Sequence, residues 1–159
     1  MDYLKSLQLI GVTARIKRIS DKLMHDARRV YDYLDLPIEP NWHLVFLLLK
    51  EEKQLSVTEI SGALKFSHPA IINIIKKMKA SGYVTSTTDP KDSRKQIVQL
   101  TEKARKELPN LEAEWDKIKI AVGAIFNDEF LEQLVEVEEN MTESDLLDRV
   151  IEIKAKRNE

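Results

Sequence analysis

Residues 56–82, SVTEISGALKFSHPAIINIIKKMKASG, contain the start signals of two short helices in close succession. Ser56 is followed three residues later by Glu59, so the two side chains can form a capping box at the start of the first helix. Ser67 can cap the second helix, and Pro69 suits its first turn. Because the connection between the two helices is short, the stretch predicts a helix-turn-helix.

The second predicted helix has an apolar face and an outer face. Spacings of three and four residues place four apolar side chains toward the core, namely Ile71, Ile74, Ile75 and Met78. The outer face keeps His68, Ile72, Asn73, Lys76 and Lys79. This helix is therefore the candidate for contact with a partner.

After Gly82 the apolar pattern changes from helical to alternating. Residues 83–88, YVTSTT, and residues 96–100, QIVQL, are β-branched runs of strand length. Between them lies DPKDSRK, residues 89–95, in which five of seven side chains are charged. We expect a two-stranded hairpin with this stretch at its tip, which is either a solvated loop or a contact surface.

Long helices are predicted on both sides of this lobe. Upstream, apolar spacings of three to five residues predict one helix over residues 3–33, and another helix opens at Pro40 or Asn41. Downstream, a long helix is expected over residues 101–126. One or two amphipathic helices follow, with a break near residues 140–142.

The composition is that of one ordinary globular domain. The chain has 159 residues, 43% hydrophobic and 33% charged. Its apolar runs are far shorter than a bilayer span and its N-terminus lacks a signal-peptide pattern, so we expect a cytoplasmic protein. There are no cysteines, which excludes disulfides and thiolate zinc sites.

The charge is distributed unevenly along the chain. The formal net charge is −2, yet residues 53–106 hold eleven Lys or Arg against four Asp or Glu, a formal charge of +7. A basic middle between acidic flanks favours contact with a polyanion. A chance excess of lysine on solvated faces would give the same count, so charge alone does not decide.

Catalytic and metal-binding chemistry is not indicated. None of His25, His43 and His68 has a second ligand candidate at the spacing of a zinc motif. Ser67 beside His68 does not make a catalytic pair, because nucleophile and base need a third, orienting group. The four glycines form no phosphate-binding loop. We therefore expect no enzyme activity, no cofactor and no metal.

Residues 40–106 resemble the winged helix-turn-helix core of the MarR family of bacterial transcriptional regulators. The sharpest likeness is in the wing, where the family pattern is Asp-x-Arg-Asp-x-Arg with Leu-Thr closing the second strand. The matching positions in this chain are Asp89, Lys91, Asp92, Arg94, Leu100 and Thr101.

Three departures from the family pattern bear on detail. Lys91 replaces the first arginine, and lysine cannot form a planar two-pronged pair with a carboxylate, so the wing is expected to be looser. Ala104 stands where a glycine is frequent. Ile72 and Asn73 stand where relatives often carry serine and arginine, which affects the base preference rather than the mode of binding.

The resemblance implies a mainly α fold with a small two-stranded β wing, in one MarR-like domain over residues 1–159. The winged lobe would span 40–106, and the long helices of 1–36 and 107–159 would serve for dimerisation. The apolar stripes of the terminal helices support this, because one short lobe cannot cover them. A C2 homodimer would present two recognition helices to successive major grooves about 34 Å apart, which implies an inverted-repeat DNA site.

The implied function is sequence-specific binding of double-stranded DNA by a transcriptional regulator. The recognition helix, residues 67–81, would enter the major groove, and the wing, residues 89–95, would approach the minor groove. Asn73 suits an adenine, His68 suits a guanine or a phosphate, and the lysines suit phosphates. The predicted contacts are Ser67, His68, Pro69, Ala70, Ile72, Asn73, Lys76, Lys77, Lys91, Arg94 and Lys95.

A small-molecule effector is also implied, because ligands of the resembled family often lie in a crevice between the long helices and the DNA-binding lobe. The candidate lining is Met24, Arg28, Tyr31, Trp42 and His43. Plain packing of the junction explains the same residues. Two other function classes stay open, a winged-helix protein-interaction module without DNA binding and a protein whose main activity is ligand sensing.

Overall fold

The computed structural model describes residues 2–157. The elements in chain order are α1 (Tyr3–Ser6), α2 (Val12–Tyr33), α3 (His43–Glu52), β1 (Gln54–Ser56), α4 (Val57–Leu64), α5 (His68–Ala80), β2 (Val84–Thr88), β3 (Gln96–Leu100), α6 (Glu102–Gly123), α7 (Asp128–Glu143) and α8 (Leu146–Lys156). Short 3-10 segments, Gln8–Gly11 and Pro40–Trp42, precede α2 and α3.

Contacts divide the chain into two compact units, one ending at Glu112 and the other beginning at Ala113. These two units differ from the predicted division into a winged lobe, 40–106, and dimerisation helices, 1–36 and 107–159. The functional roles of those segments stay a prediction. Met1, Asn158 and Glu159, at the ends of the predicted dimerisation segments, lie outside the described residues.

The two capping serines start α4 and α5 as predicted. The hydroxyl of Ser56 accepts the Glu59 N–H at 3.2 Å, and the Glu59 carboxylate accepts the Ser56 N–H at 2.7 Å. Hydrogen bonding of the Glu59 carboxyl with the side chain and the backbone N–H of Ser56 holds the pKa of that carboxyl below its ordinary value. The hydroxyl of Ser67 accepts the Ala70 N–H at 3.4 Å. The predicted helix-turn-helix is confirmed.

The core of the first unit lies under the inner face of α5. The four apolar side chains predicted to face inward are all buried, and Ile71 and Met78 are fully so. They share the core with residues of α3, α4 and the sheet, namely Val45, Phe46, Leu49, Ile60, Tyr83, Val84, Val98 and Leu100. This core fixes which face of α5 remains outside.

Tyr83 connects the core to the first turns of α6. Its ring packs edge-on against Phe46, with 5.4 Å between centroids, and its hydroxyl donates to the Glu107 carboxylate at 2.8 Å. The Lys103 ammonium lies 4.1 Å from the ring centroid. Burial, together with the hydrogen bond to Glu107, raises the pKa of Tyr83 to about 12.

The sheet has three antiparallel strands in the order β1-β3-β2. Val84 pairs with Leu100 and Thr88 with Gln96, so β2 and β3 form the predicted hairpin. The mainly α fold class and the two-stranded wing are confirmed, and the sheet has a third strand, β1, that was not predicted. Strand β1 is only three residues long, which is too short for an alternating pattern, and it forms because the free edge of β3 can accept it.

The prediction of one continuous helix over residues 3–33 is wrong. The chain bends between α1 and α2, where a Cβ on Gly11 would lie 2.6 Å from the Leu4 carbonyl oxygen. This close approach requires glycine. Asp2 strengthens the bend, because its carboxylate caps α1 and pairs with Arg18 at 2.7 Å. Apolar spacing alone does not reveal such a bend.

The second unit contains the rest of α6 and the helices α7 and α8. Asn127 caps α7 through the Phe130 N–H at 3.0 Å, and Asp145 caps α8 through the Asp148 N–H at 2.9 Å. The break between these helices therefore lies at Asp145, later than the predicted 140–142. Within residues 2–157, no helix combines the length and apolar character that crossing a membrane requires.

Candidate nucleic-acid interface

A groove of about 520 Å³ lies between the outer face of α5 and the sheet, and we call it the α5–wing groove. Its floor is apolar and consists of Val57, Ile72, Ile75 and Val98. Its rim carries four cations, Lys76, Lys79, Arg94 and Lys95. Among the described residues no carboxylate lines it. Such a surface attracts a polyanion while offering apolar contact beneath the charge.

The groove brings together five of the predicted DNA contacts, which are His68, Ile72, Lys76, Arg94 and Lys95. Four others, Ser67, Pro69, Ala70 and Asn73, are exposed at the N-terminal end or on the outer face of α5 without lining the groove. Ile72 is 48% exposed, although it is flanked in sequence by a fully buried residue. The outer face of the helix is therefore accessible to a partner.

Two aspartates organise the wing tip. Asp89 accepts the N–H of Lys91 at 2.7 Å and that of Asp92 at 3.4 Å. Asp92 accepts both the backbone N–H and the Nε–H of Arg94 at 3.1 Å. The hydrogen bonds from Arg94 keep the pKa of the Asp92 carboxyl below its ordinary value.

Both Lys91 and Arg94 remain at the surface of the tip. The Arg94 side chain is 90% exposed despite its contact with Asp92. The hydrogen bond from Nε to Asp92 orients the Arg94 guanidinium. Most of the side chain nevertheless stays accessible to a phosphate or a base edge.

Eight residues of the groove were missing from the predicted contacts, and these are Ser56, Val57, Thr58, Ile75, Lys79, Ser86, Gln96 and Val98. Lys79 donates to the hydroxyl of Ser86 at 2.8 Å, which joins α5 to β2. The outward position of Lys79 was visible in the helical pattern. Thr58, Ser86 and Gln96 gave no signal, because only the packing of α4 and the strands against α5 brings them to the groove.

Lys77 lies apart from the other cations of α5. Its ammonium is 2.8 and 3.1 Å from the two carboxylate oxygens of Glu39. It lines a different cavity of about 410 Å³, which we call the α2–α5 crevice. The structure therefore separates Lys77 from Lys76, its neighbour in sequence, which lines the α5–wing groove.

The α2–α5 crevice contains three of the five predicted effector residues, Met24, Arg28 and Tyr31, together with Asp32, Ile38, Glu39, Pro40, Asn41 and Lys77. Trp42 is buried behind it, edge-on to Tyr83 at 6.0 Å between centroids. The Trp42 indole N–H has no hydrogen-bond acceptor among the described residues. His43 donates from Nδ1 to the Pro40 carbonyl at 2.6 Å, which orients its ring locally.

No group of three or more histidine, aspartate or glutamate side chains within residues 2–157 is placed to hold a metal ion.

Comparison with known proteins identifies the lobe that carries the groove. The sequence model described as the MarR family matches residues 36–95. The part of the chain that holds the helix-turn-helix and the wing tip is thus similar to the MarR family. The HTH-type transcriptional regulator TtmR of Methylorubrum extorquens (strain PA1) is 34% identical over 83 residues. That match covers 52% of this chain and 40% of TtmR, so it spans less than half of the relative.

Several solved structures have a fold similar to that of this chain. Reduced AbfR bound to DNA is similar with a TM-score of 0.69 at 20% identity, over 90% of this chain and 98% of AbfR. BpsR of Bordetella bronchiseptica, whose DNA binding is regulated by 6-hydroxynicotinic acid, is similar with a TM-score of 0.68 at 18% identity, over 84% of this chain and 94% of BpsR. At these identities the likeness concerns the fold.

Proposed function

We propose that this chain is a sequence-specific, double-stranded DNA-binding transcriptional regulator that acts as a homodimer, without catalysis. The α5–wing groove carries the proposal, because within the described part of the chain four cations and no carboxylate line it, around an apolar floor beside an exposed helix face. Phosphate contacts supply affinity and base-edge contacts supply specificity, and this surface offers both kinds of side chain. DNA-bound AbfR, which has the same fold, supports the proposal.

In this proposal α5 lies in the major groove with its N-terminal half toward the base edges. Asn73 pairs with an adenine through its amide, and Ile72 contacts a thymine methyl group. Lys76 and Lys95 neutralise phosphates, whereas Arg94 at the wing tip enters the minor groove, whose narrow regions attract arginine.

The homodimer is proposed from apolar side chains that the single chain leaves exposed. In the N-terminal segment these include Leu9, Ile10, Ile16 and Ile19, and Ile10 is 86% exposed. In α7 and α8 they include Leu131, Leu134, Val135, Leu147, Val150 and Ile151. Contiguous apolar surface of this kind is normally covered by a partner, and a second copy with C2 symmetry is the usual closed solution.

Selection of bound sequences from a random pool of DNA duplexes tests the function, with Asn73→Ala as the informative variant. We expect the unaltered protein to select an inverted repeat whose half-site centres are about 34 Å, one helical turn, apart. The Asn73→Ala protein should lose about 1–3 kcal/mol of discrimination at one base pair in each half-site and keep the rest of the preference.

The matched control for this selection is Lys76→Met, one helical turn further along the outer face of α5. Loss of a phosphate contact should weaken binding to all duplexes equally. If Asn73→Ala gives the same uniform loss, Asn73 contacts phosphate instead of a base. Absence of duplex enrichment, or binding that is insensitive to salt, would favour the protein-interaction module.

We infer, in addition, that a small-molecule effector controls DNA binding from the α2–α5 crevice. Its volume lies within the range of ligand pockets, about 300–1,000 Å³, and Lys77 brings the recognition helix itself into the lining. A ligand there contacts α5 directly.

We expect a ligand identified by screening to release DNA, and Arg28→Ala to abolish that release while leaving ligand-free DNA affinity unchanged. Release that persists in Arg28→Ala would exclude this crevice.

A further inference from the structure

A third cavity, of about 290 Å³, lies where α3 ends and α6 begins, and we call it the α3–α6 pocket. Three buried leucines, Leu49, Leu100 and Leu108, contribute to its lining together with Pro109. None of its lining residues lines the α5–wing groove or the α2–α5 crevice. It is therefore a separate feature of the first unit.

The rim of the α3–α6 pocket has an excess of positive charge. Among residues 2–157, Lys50, Lys53 and Arg105 line it, against one carboxylate, that of Glu112. Lys50 pairs with Glu112. Within residues 2–157, neither Lys53 nor Arg105 has a carboxylate within 4.0 Å of its charged nitrogens. Two cations beside an apolar floor are thus left for a ligand.

The backbone at Lys53 supports a functional role for this rim. Lys53 has φ 66° and ψ −50°, a conformation that side-chain-bearing residues rarely adopt. The pair of angles lies outside the left-handed helical region in which glycine often ends a helix, and close to the rare and strained classic γ-turn. Strained positions of this kind persist only where the surrounding structure holds them in place. They are found most often at binding and active sites.

We propose that the α3–α6 pocket binds a small aliphatic carboxylate. The Arg105 guanidinium matches the planar geometry of a carboxylate and can donate two parallel hydrogen bonds, and Lys53 adds a second charge. The lining, as far as the structure describes the chain, contains leucine and proline but no aromatic ring, so it suits a branched or cyclic aliphatic body. The volume is at the lower end of ligand pockets, which begin at about 300 Å³, so the ligand is small.

Binding at this pocket has a route to the wing. Leu100 is the last residue of β3, whose first residue, Gln96, follows the wing tip. Lys53 immediately precedes β1, which pairs with β3. A ligand that contacts Lys53 and Leu100 therefore contacts the ends of two paired strands, and through them it biases the wing. This consequence rests on the proposed DNA binding, whereas the binding of the carboxylate does not.

Titration of the full chain with cyclohexanecarboxylate, followed by methyl NMR, tests the site. We expect saturable shifts of the methyl signals of Leu49, Leu100 and Leu108. The dissociation constant should rise about tenfold in Arg105→Met, because a charge-assisted hydrogen bond is lost. Lys53→Met is the second variant and should also weaken binding. The neutral amide cyclohexanecarboxamide should bind about tenfold more weakly than the carboxylate to the unaltered protein.

Arg28→Met in the α2–α5 crevice is the matched control and should leave the dissociation constant unchanged. Three results would overturn the site: no saturable leucine shifts, equal affinity for the amide, or weakening by Arg28→Met in place of the rim variants. DNA affinity is measured separately with and without the carboxylate. Leucine shifts without a change in DNA affinity would overturn only the route to the wing, and absence of DNA binding would overturn only the proposed function.

Discussion

Replacing the four rim cations of the α5–wing groove by methionine is expected to remove most of the salt dependence of DNA binding. Each phosphate contact contributes about −0.9 to the slope of log affinity against log salt, so the slope should become shallower by about 3 to 4 for each subunit of the proposed dimer. The four positions are Lys76, Lys79, Arg94 and Lys95. Fluorescence anisotropy with a labelled duplex, between about 50 and 200 mM salt, measures the slope.

Lys77→Met is the control that the structure supplies for this experiment. Lys77 is adjacent to Lys76 in sequence, but its ammonium is engaged by Glu39 in the α2–α5 crevice. We expect the slope to stay as it is in the unaltered protein. A slope that becomes shallower by about 0.9 per subunit in Lys77→Met would place that lysine on a phosphate. An unchanged slope in the fourfold variant would remove the groove from the DNA interface.

The largest expected effect on stability is that of Phe46→Ala, which should lower the free energy of unfolding by about 3–5 kcal/mol. Phe46 is fully buried, and its ring packs edge-on against Tyr83. Truncation leaves a cavity between α3 and the sheet and removes the aromatic contact. Urea unfolding at a fixed protein concentration measures the loss, because the proposed dimerisation would make stability depend on concentration.

Leu47→Ala is the matched control for Phe46→Ala, since it removes an apolar side chain at the next position of the same helix. Leu47 is 42% exposed. Exposed substitutions usually change stability by about 0.5 kcal/mol or less. If both variants lowered the free energy of unfolding equally, the assignment of the inner face of α3 would be contradicted.

Local signals predicted the helix-turn-helix and the position of the wing. Ser56 and Glu59 lie within one turn of each other, so their capping box forms from groups that are neighbours in sequence. The inner face of α5 followed from helical spacing in the same way. Five predicted contacts meet in the α5–wing groove because they lie on one helix face and one hairpin.

Features that depend on distant parts of the chain were not predictable from these signals. The short strand β1 exists only as the partner of β3, about 40 residues later. The bend at Gly11 depends on how closely the chain returns to Leu4. The α3–α6 pocket collects residues from Leu49 to Glu112, and their spacing in sequence contains no recognisable motif.

The amino-acid sequence by itself determined the fold class, the helix-turn-helix, the charged wing and the likeness to one family, because caps, periodicity and turn residues act over a few positions. Only the tertiary structure decided which cations lie on the same surface. Lys76 and Lys77 are neighbouring lysines of one helix, yet packing places Lys76 on the α5–wing groove and Lys77 against Glu39. The reason is geometric, since adjacent residues of a helix point about 100° apart and meet different neighbours.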